Sequence, residues 1–137
     1  MGLLGLLGLW SYCVMKIQRF EDITAWQETR ILVKRIYSIM ESRTKFRYDN
    51  RFKSQITSAA VSIMSNIAEG FSRKSNKEFI QFLFIAKGSL AEVQSQLYVA
   101  LDLQYIIEKE FREIYDQADK ITRQLSRFIT YLLSANK

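Results

Sequence analysis

The chain has 137 residues, of which 48% are hydrophobic, and it carries 20 Lys and Arg residues against 14 Asp and Glu residues. This length is typical of one domain, and the hydrophobic content is enough for one core. The sequence contains no histidine and a single cysteine, which excludes a His-dependent catalytic triad, a Cys/His zinc site and an internal disulfide. The net charge of +6 is compatible with an anionic partner and equally with plain solubility.

Helix-breaking residues are scarce beyond the first ten positions. The chain has no proline, and only Gly70 and Gly88 interrupt the stretch from residue 20 to residue 137. This composition favours helices over sheets. We therefore predict an all-α domain over residues 20–137, preceded by an apolar extension over residues 1–19.

The first fifteen residues are apolar, but they match neither a transmembrane helix nor a signal peptide. A membrane-spanning helix needs about 20 apolar residues, and the basic region that opens a secretory signal is missing. Three interpretations remain open: a strip that packs on the bundle or on a partner, a segment at a membrane surface, or sequence upstream of a natural start at Met15. We favour the start at Met15 and expect a cytoplasmic protein without membrane attachment.

The first predicted helix begins at Thr24, whose spacing to Gln27 fits a capping box, and it ends near Ser42. Helical spacing gives it a buried stripe. The stripe comprises Trp26, Val33, Ile36, Tyr37 and Met40.

A basic segment follows at residues 43–53, with a net charge of +4. It contains one acid, Asp49, and five cations, which are Arg43, Lys45, Arg47, Arg51 and Lys53. The aromatics Phe46, Tyr48 and Phe52 alternate with these charges. Such aromatics suit either the core at a bundle end or stacking on nucleic-acid bases, and we favour the core.

The second predicted helix starts at Asp49 or Asn50, either of which can cap it. It ends at Gly70, where we expect the left-handed conformation that terminates many helices. Residues three and four apart share one face of a helix. The core stripe comprises Ile56, Ala60, Ile63, Ile67 and Phe71. The neighbouring face is small and polar instead, with Ala59, Ser62, Asn66, Glu69 and Arg73.

The third predicted helix opens with a second capping box, formed by Ser75 and Glu78. Its core stripe comprises Phe79, Phe82, Leu83, Ala86, Leu90, Val93, Leu97 and Leu101. Beside that stripe lie Ile85, Gly88, Ser89, Glu92 and Gln96. Because a glycine inside a helix lowers helix stability, we expect Gly88 to mark a close approach of another backbone.

The fourth predicted helix follows a turn between Leu103 and Glu108, and its stripe is the clearest. The stripe comprises Phe111, Ile114, Tyr115, Ala118, Ile121, Leu125, Phe128, Ile129 and Leu132. Four amphipathic helices with short links predict an antiparallel up-and-down four-helix bundle.

The links decide where the charges fall in such a bundle. The first and third links share one end, so the basic segment 43–53 meets the acidic start of the fourth helix and part of its charge is offset. The opposite end collects Arg73, Lys74 and Lys77. We therefore rank that end first as a surface for an anionic partner such as nucleic acid. Arg43, Lys45 and Arg47 are the further candidates, and a merely solvated basic rim is the alternative.

Several motifs together resemble one family. They are residues 20–23 (Phe-Glu-Asp-Ile) with residues 25–27 (Ala-Trp-Gln), Gln55 with residues 59–63, residues 65–71 (Ser-Asn-Ile-Ala-Glu-Gly-Phe) with Arg73, and residues 88–89 (Gly-Ser) with Glu92. From residue 20 to residue 133 the chain resembles the 23S rRNA intervening-sequence proteins, also called S23 ribosomal proteins. That family is also similar to the accessory protein of diversity-generating retroelements, which binds nucleic acid. The resemblance implies a four-helix bundle that forms ring-like homo-oligomers, often pentamers.

Three functions compete. The first is a non-enzymatic homo-oligomer that binds RNA or a nucleoprotein through a basic end. The second is a protein–protein adaptor or structural assembly protein, whose helices or subunits meet at a polar seam of Ser62, Asn66, Glu69, Gly70, Gly88, Ser89 and Glu92. The third is an enzyme with Glu69 and Glu92 as a carboxylate pair.

The sequence favours the first of these functions. No histidine is present to complete a Glu-x-x-His metal motif. Arg73 lies one helical turn from Glu69 and is the expected ion-pair partner of that carboxylate. We therefore expect no catalytic residue, metal, cofactor or small-molecule substrate.

Overall fold

The computed structural model describes residues 17–135, which form one short 3₁₀ turn and five α-helices. The turn spans Phe20–Asp22, and the helices are α1 (Thr24–Ser42), α2 (Thr44–Tyr48), α3 (Asn50–Phe71), α4 (Asn76–Asp102) and α5 (Glu108–Ala135). The four long helices agree with those predicted, whereas the short α2 lies in the basic segment, where the sequence predicts no helix. Residues 1–16 of the predicted apolar extension lie outside the described part of the chain.

The four long helices form the predicted antiparallel up-and-down bundle. Helix α1 packs against α3 and α5, and α4 packs against the same two helices. Their interior is aliphatic, with fully buried Leu32 from α1, Ile63 from α3, Leu90 from α4 and Ile121 from α5. Within residues 17–135, none of the helices combines the length and the hydrophobicity that a bilayer crossing requires.

The predicted stripe of α5 is confirmed except at the half-buried Tyr115, but that of α1 is shifted. Tyr37 is exposed and Val33 is only half-buried, whereas Leu32 and Thr29 are buried. The buried row runs through Leu32 because this face of α1 lies between α3 and α5. Thr29 is tolerated there because its hydroxyl donates a hydrogen bond to the carbonyl oxygen of Ala25 at 2.7 Å.

The beginnings of α3 and α4 follow the sequence prediction. The side chain of Asp49 caps α3 by accepting a hydrogen bond from the backbone N–H of Phe52 at 3.1 Å. Ser75 caps α4 in the same way, accepting from the N–H of Glu78 at 3.2 Å. Each cap satisfies a backbone donor that has no partner inside the helix.

The beginning of α1 is predicted correctly at Thr24, but its capping box is wrong. Ile23 precedes the helix and supplies no side-chain cap. The amide of Gln27 instead donates to the carbonyl oxygen of Glu21 at 2.7 Å. This bond ties α1 to the preceding 3₁₀ turn.

Neither glycine has, within the subunit, the role that the sequence predicts for it. Gly70 is buried in helical backbone rather than left-handed, and α3 continues to Phe71. A Cβ atom at Gly70 would lie 2.7 Å from Cβ of Phe82 and 2.9 Å from the ring of Phe79. Gly88 is exposed, and a Cβ there would meet no heavy atom within 4 Å. The left-handed conformation predicted for Gly70 is wrong, and the close approach expected at Gly88 is found at Gly70 within the subunit.

Substitution of Gly70 by alanine tests this close approach. Gly70→Ala is expected to lower the free energy of unfolding by about 1–3 kcal/mol, because the added methyl group overlaps Phe82 and pushes α3 away from α4. Gly88→Ala is the matched control, in which the methyl group meets no atom of the subunit and alanine favours the helix by up to about 1 kcal/mol. Urea denaturation at low protein concentration measures both. Equal losses in the two variants would contradict the packing assigned to Gly70.

Candidate nucleic-acid interface

At one end of the bundle, α2 and the start of α3 lie beside the link from α4 to α5; we call this the α2 end. The predicted meeting of the basic segment with the acidic start of the last helix is confirmed, since the guanidinium of Arg43 donates to Oε2 of Glu110 at 2.7 Å. Glu110 also accepts from the N–H of Ile107 at 3.0 Å. Burial alone would raise the pKa of Glu110, but the Ile107 N–H and the Arg43 guanidinium hold it below its ordinary value. The charge of Arg43 is therefore offset within the subunit.

The aromatic residues of the basic segment are divided between core and surface. Phe46 and Phe52 are 2% and 8% exposed, and their rings pack with that of Tyr105 at centroid distances of 5.3 and 5.9 Å. The interpretation as bundle-end core is confirmed for these two phenylalanines. Tyr48, by contrast, is 68% exposed. The guanidinium of Arg47 lies 5.0 Å from its ring centroid and donates to its hydroxyl at 2.9 Å.

Asp49, the single acid of the segment, is bound to the scaffold. Besides capping α3, it accepts a hydrogen bond from the hydroxyl of Tyr105 at 2.6 Å. The hydrogen bond from the Tyr105 hydroxyl lowers the pKa of Asp49 most, and the bond from the N–H of Phe52 lowers it further. The same Asp49 carboxylate raises the pKa of Tyr105. Tyr105 is not among the residues predicted from the sequence. No local pattern could have shown it, because the two partners are 56 residues apart.

Four of the five cations in the segment remain without a carboxylate partner among residues 17–135. Lys53 is half-buried, and the other three are exposed. Glu110, the acid in the first turn of α5 that forms an ion pair here, is engaged by Arg43 instead. We call these four cations, together with the exposed ring of Tyr48, the α2 surface. Its cations are Lys45, Arg47, Arg51 and Lys53.

The opposite end holds Arg73, Lys74 and Lys77, which the sequence ranks first. Arg73 donates to Oε1 of Glu69 at 2.9 Å, and its guanidinium lies 4.8 Å from the ring centroid of Phe82. Lys74 and Lys77 are exposed and have no carboxylate partner in the described part of the chain. Of these three cations, Arg73 alone has a carboxylate partner within residues 17–135, because the four-residue spacing brings it together with Glu69.

The polar seam between α3 and α4 forms inside the subunit. The hydroxyl of Ser89 donates to Oγ of Ser62 at 3.1 Å across the two helices. The side-chain amide of Asn66 donates to the same Oγ at 3.0 Å and to the carbonyl oxygen of Ser62 at 2.8 Å. Close packing at Gly70 continues this contact along α3.

The remaining residues predicted for the seam lie outside it. Glu69 is bound to Arg73, and Glu92 accepts a weak hydrogen bond from Gln96 at 3.5 Å. Gly88 is exposed on the outer face of α4. Each carboxylate of the hypothetical catalytic pair therefore has its own partner close in sequence, an arrangement typical of surface ion pairs and helix-surface contacts.

The four long helices and the unpaired cations at the ends of the bundle are the features of a helical-bundle protein with a basic end surface. Residues 21–127 match the family model of the 23S rRNA-intervening sequence proteins. The chain belongs to that family, so the resemblance inferred from its motifs is confirmed.

A solved structure supports the fold independently. The crystal structure of a protein of unknown function from the S23 ribosomal protein family of Bacteroides thetaiotaomicron is similar, with a TM-score of 0.71 and 22% sequence identity. The likeness covers 77% of this chain and 98% of that chain. No curated protein matches the chain significantly.

The hydrogen bond between Tyr105 and Asp49 predicts a pH-dependent contribution to stability. Because the bond lowers the pKa of Asp49 in the folded state, its contribution is present at neutral pH and is lost as the pH falls through that lowered pKa. We therefore expect Tyr105→Phe to lower the melting temperature at pH 7. The difference in melting temperature between this variant and wild type should become smaller as the pH falls.

Thermal melts between pH 7 and pH 2 measure this effect. Tyr115→Phe is the matched control, because the Tyr115 hydroxyl has no hydrogen bond within residues 17–135. A Tyr105→Phe effect that stays constant with pH would contradict the role assigned to the bond.

Proposed function

We propose that the chain is a non-enzymatic, homo-oligomeric protein that binds RNA through the α2 surface. The observation that carries the proposal is the group of four cations without carboxylate partners beside the exposed ring of Tyr48. Such cations bind a phosphate backbone by displacing its counterions, and an exposed aromatic ring offers a face to an unpaired base. Membership of a family named for 23S rRNA intervening sequences supports RNA as the anion.

The scaffold supports this use by holding the cations in fixed places. Phe46 in α2 and Phe52 in α3 are buried against Tyr105. Because these rings anchor both helices, the backbone that carries the cations is pre-organised, and binding costs less conformational entropy than it would from a free loop.

The non-enzymatic part of the proposal is supported by the side chains available. The chain has no histidine. Glu69 is engaged by Arg73, and the partly exposed side chains of this ion pair are typical of a surface contact. The homo-oligomeric part is supported by α4, whose outer face exposes Phe84 and Tyr98.

Salt-dependent RNA binding tests the α2 surface. Filter binding to a single-stranded RNA is measured at several salt concentrations for wild type and for a triple alanine variant of Lys45, Arg47 and Arg51. We expect the triple variant to bind more weakly and the slope of log K against log salt to fall in magnitude by about 2.

The matched control is the triple alanine variant of Arg73, Lys74 and Lys77. It removes the same number of charges at the opposite end and is expected to retain most of the affinity. Wild-type binding that does not depend on salt, or a larger loss in this control than in the α2 variant, would contradict the proposal.

Substitution of Tyr48 separates base stacking from charge. Tyr48→Ala is expected to lose about 1–3 kcal/mol of binding free energy for single-stranded RNA with an unchanged salt slope. Tyr48→Phe keeps the ring and should bind like wild type. If Tyr48→Ala also binds like wild type, the ring does not contact a base.

A further inference from the structure

A shallow groove lies on the outside of the bundle, between α1 and α3. Its volume is about 500 Å³, and most of its lining consists of short hydroxyl side chains. Two larger residues of the lining, Tyr37 and Val61, are 42% and 39% exposed. No charged residue occurs between residues 54 and 68 of α3. We call this surface the serine groove, and its lining includes Tyr37, Ser54, Thr57, Ser58, Val61 and Ser65.

The side of the bundle between α1 and α5 shows the contrast. There the guanidinium of Arg35 pairs with Glu113, and the ammonium of Lys120 pairs with Glu28 at 3.4 Å. Ion pairs of this kind are typical of a side that faces solvent. The serine groove has no such pair and exposes an aromatic ring instead, and the centre of a protein interface is likewise poor in charge and rich in aromatic residues.

Phe84 projects from α4 on the side toward α5. It is 54% exposed, and Nζ of Lys87 lies 5.5 Å from its ring centroid. Tyr98 follows Phe84 by about four helical turns, so both residues lie on the same side of α4. Tyr98 packs against Phe111 and Tyr115 of α5 at centroid distances of 4.8 and 5.9 Å. Tyr98 thus has partners within the subunit, whereas the exposed ring of Phe84 is available for a contact outside it.

The serine groove and Phe84 lie on opposite sides of the subunit. Helices α1 and α4 are diagonal in the bundle, because each of them packs against α3 and α5. The side between α1 and α3 therefore lies across the core from the side between α4 and α5. Every copy of the chain thus presents one exposed aromatic ring and, on its far side, one groove whose short side chains leave room for a ring.

We propose that Phe84 of one copy of this chain inserts into the serine groove of a second copy, in a head-to-tail contact. The inference rests on the proposed homo-oligomer and names the two surfaces that form it. Neither Phe84 nor the groove lining carries a charge, so the ring is buried without desolvating an ion in the groove. The contact is heterologous, so each added copy leaves one ring and one groove free until the assembly closes as a ring of subunits.

Two single substitutions each remove one half of this contact. Phe84→Glu removes the inserted ring, and Val61→Glu places a carboxylate in the groove. Both positions are exposed, so the fold of the subunit should be kept. The dissociation constant of the full-length chain, measured by analytical ultracentrifugation, is expected to rise at least about thirtyfold in each variant, as it does when a central interface residue is lost.

A mixture of the two variants tests the head-to-tail arrangement. Phe84→Glu keeps an intact groove and Val61→Glu keeps an intact Phe84, so an equimolar mixture should form complexes of two subunits and nothing larger. Recovery of association in the mixture also shows that both variants are folded. Ile31→Glu is the matched control, because Ile31 is 57% exposed on α1 and belongs to neither surface. It is expected to keep the wild-type mass.

Three results would each overturn the inference: a Phe84→Glu or Val61→Glu variant with the wild-type mass, a mixture that stays at the single-subunit mass, or an equal loss of assembly in Ile31→Glu. A single-subunit mass for wild type would overturn it together with the homo-oligomer on which it rests. The triple alanine variant of Lys45, Arg47 and Arg51 should keep the wild-type mass, so failure of RNA binding is distinguishable from failure of this contact.

Discussion

The close approach of α3 and α4 is the contact on which the rest of the structure depends. At Gly70 the two helices come so near that even a methyl group would collide with Phe82. Farther along, the hydroxyls of Ser62 and Ser89 meet in the same antiparallel register. Steric contact at one point and a directional hydrogen bond at another fix both the distance and the register of the pair. The outward direction of each face of α4 follows from this register.

The distribution of free charge follows from the same framework. The link from α4 to α5 brings Tyr105 and Glu110 to the α2 end, where they bind Asp49 and Arg43. Glu110 therefore offsets the charge of Arg43, and Asp49 is held in place by a neutral hydroxyl. The α2 surface keeps a net positive charge because its four cations form no ion pair within residues 17–135.

Much of the fold could be predicted because it depends on local patterns. The stripe of α5 and the caps at Asp49 and Ser75 involve residues within one or a few helical turns, where spacing in sequence equals proximity in space. Apart from local errors such as the capping box of α1, the errors concern contacts between helices. The shifted stripe of α1 depends on which two neighbours it packs between, and the roles of Gly70 and Gly88 depend on which helix comes close. The candidate residues could be predicted by type, but the partners of Arg43 and Asp49 could not, because Glu110 and Tyr105 lie far away in the chain.

The sequence by itself determined the helical class, the four long helices, most of their ends and the family, since helix propensity, periodicity and short motifs are properties of neighbouring residues. The tertiary structure alone decided which cations stay free, that Ser62 and Ser89 meet within one subunit, and that Phe84 of α4 is exposed. These features arise from distances between segments remote in the chain, and a distance of that kind is fixed only when the helices pack.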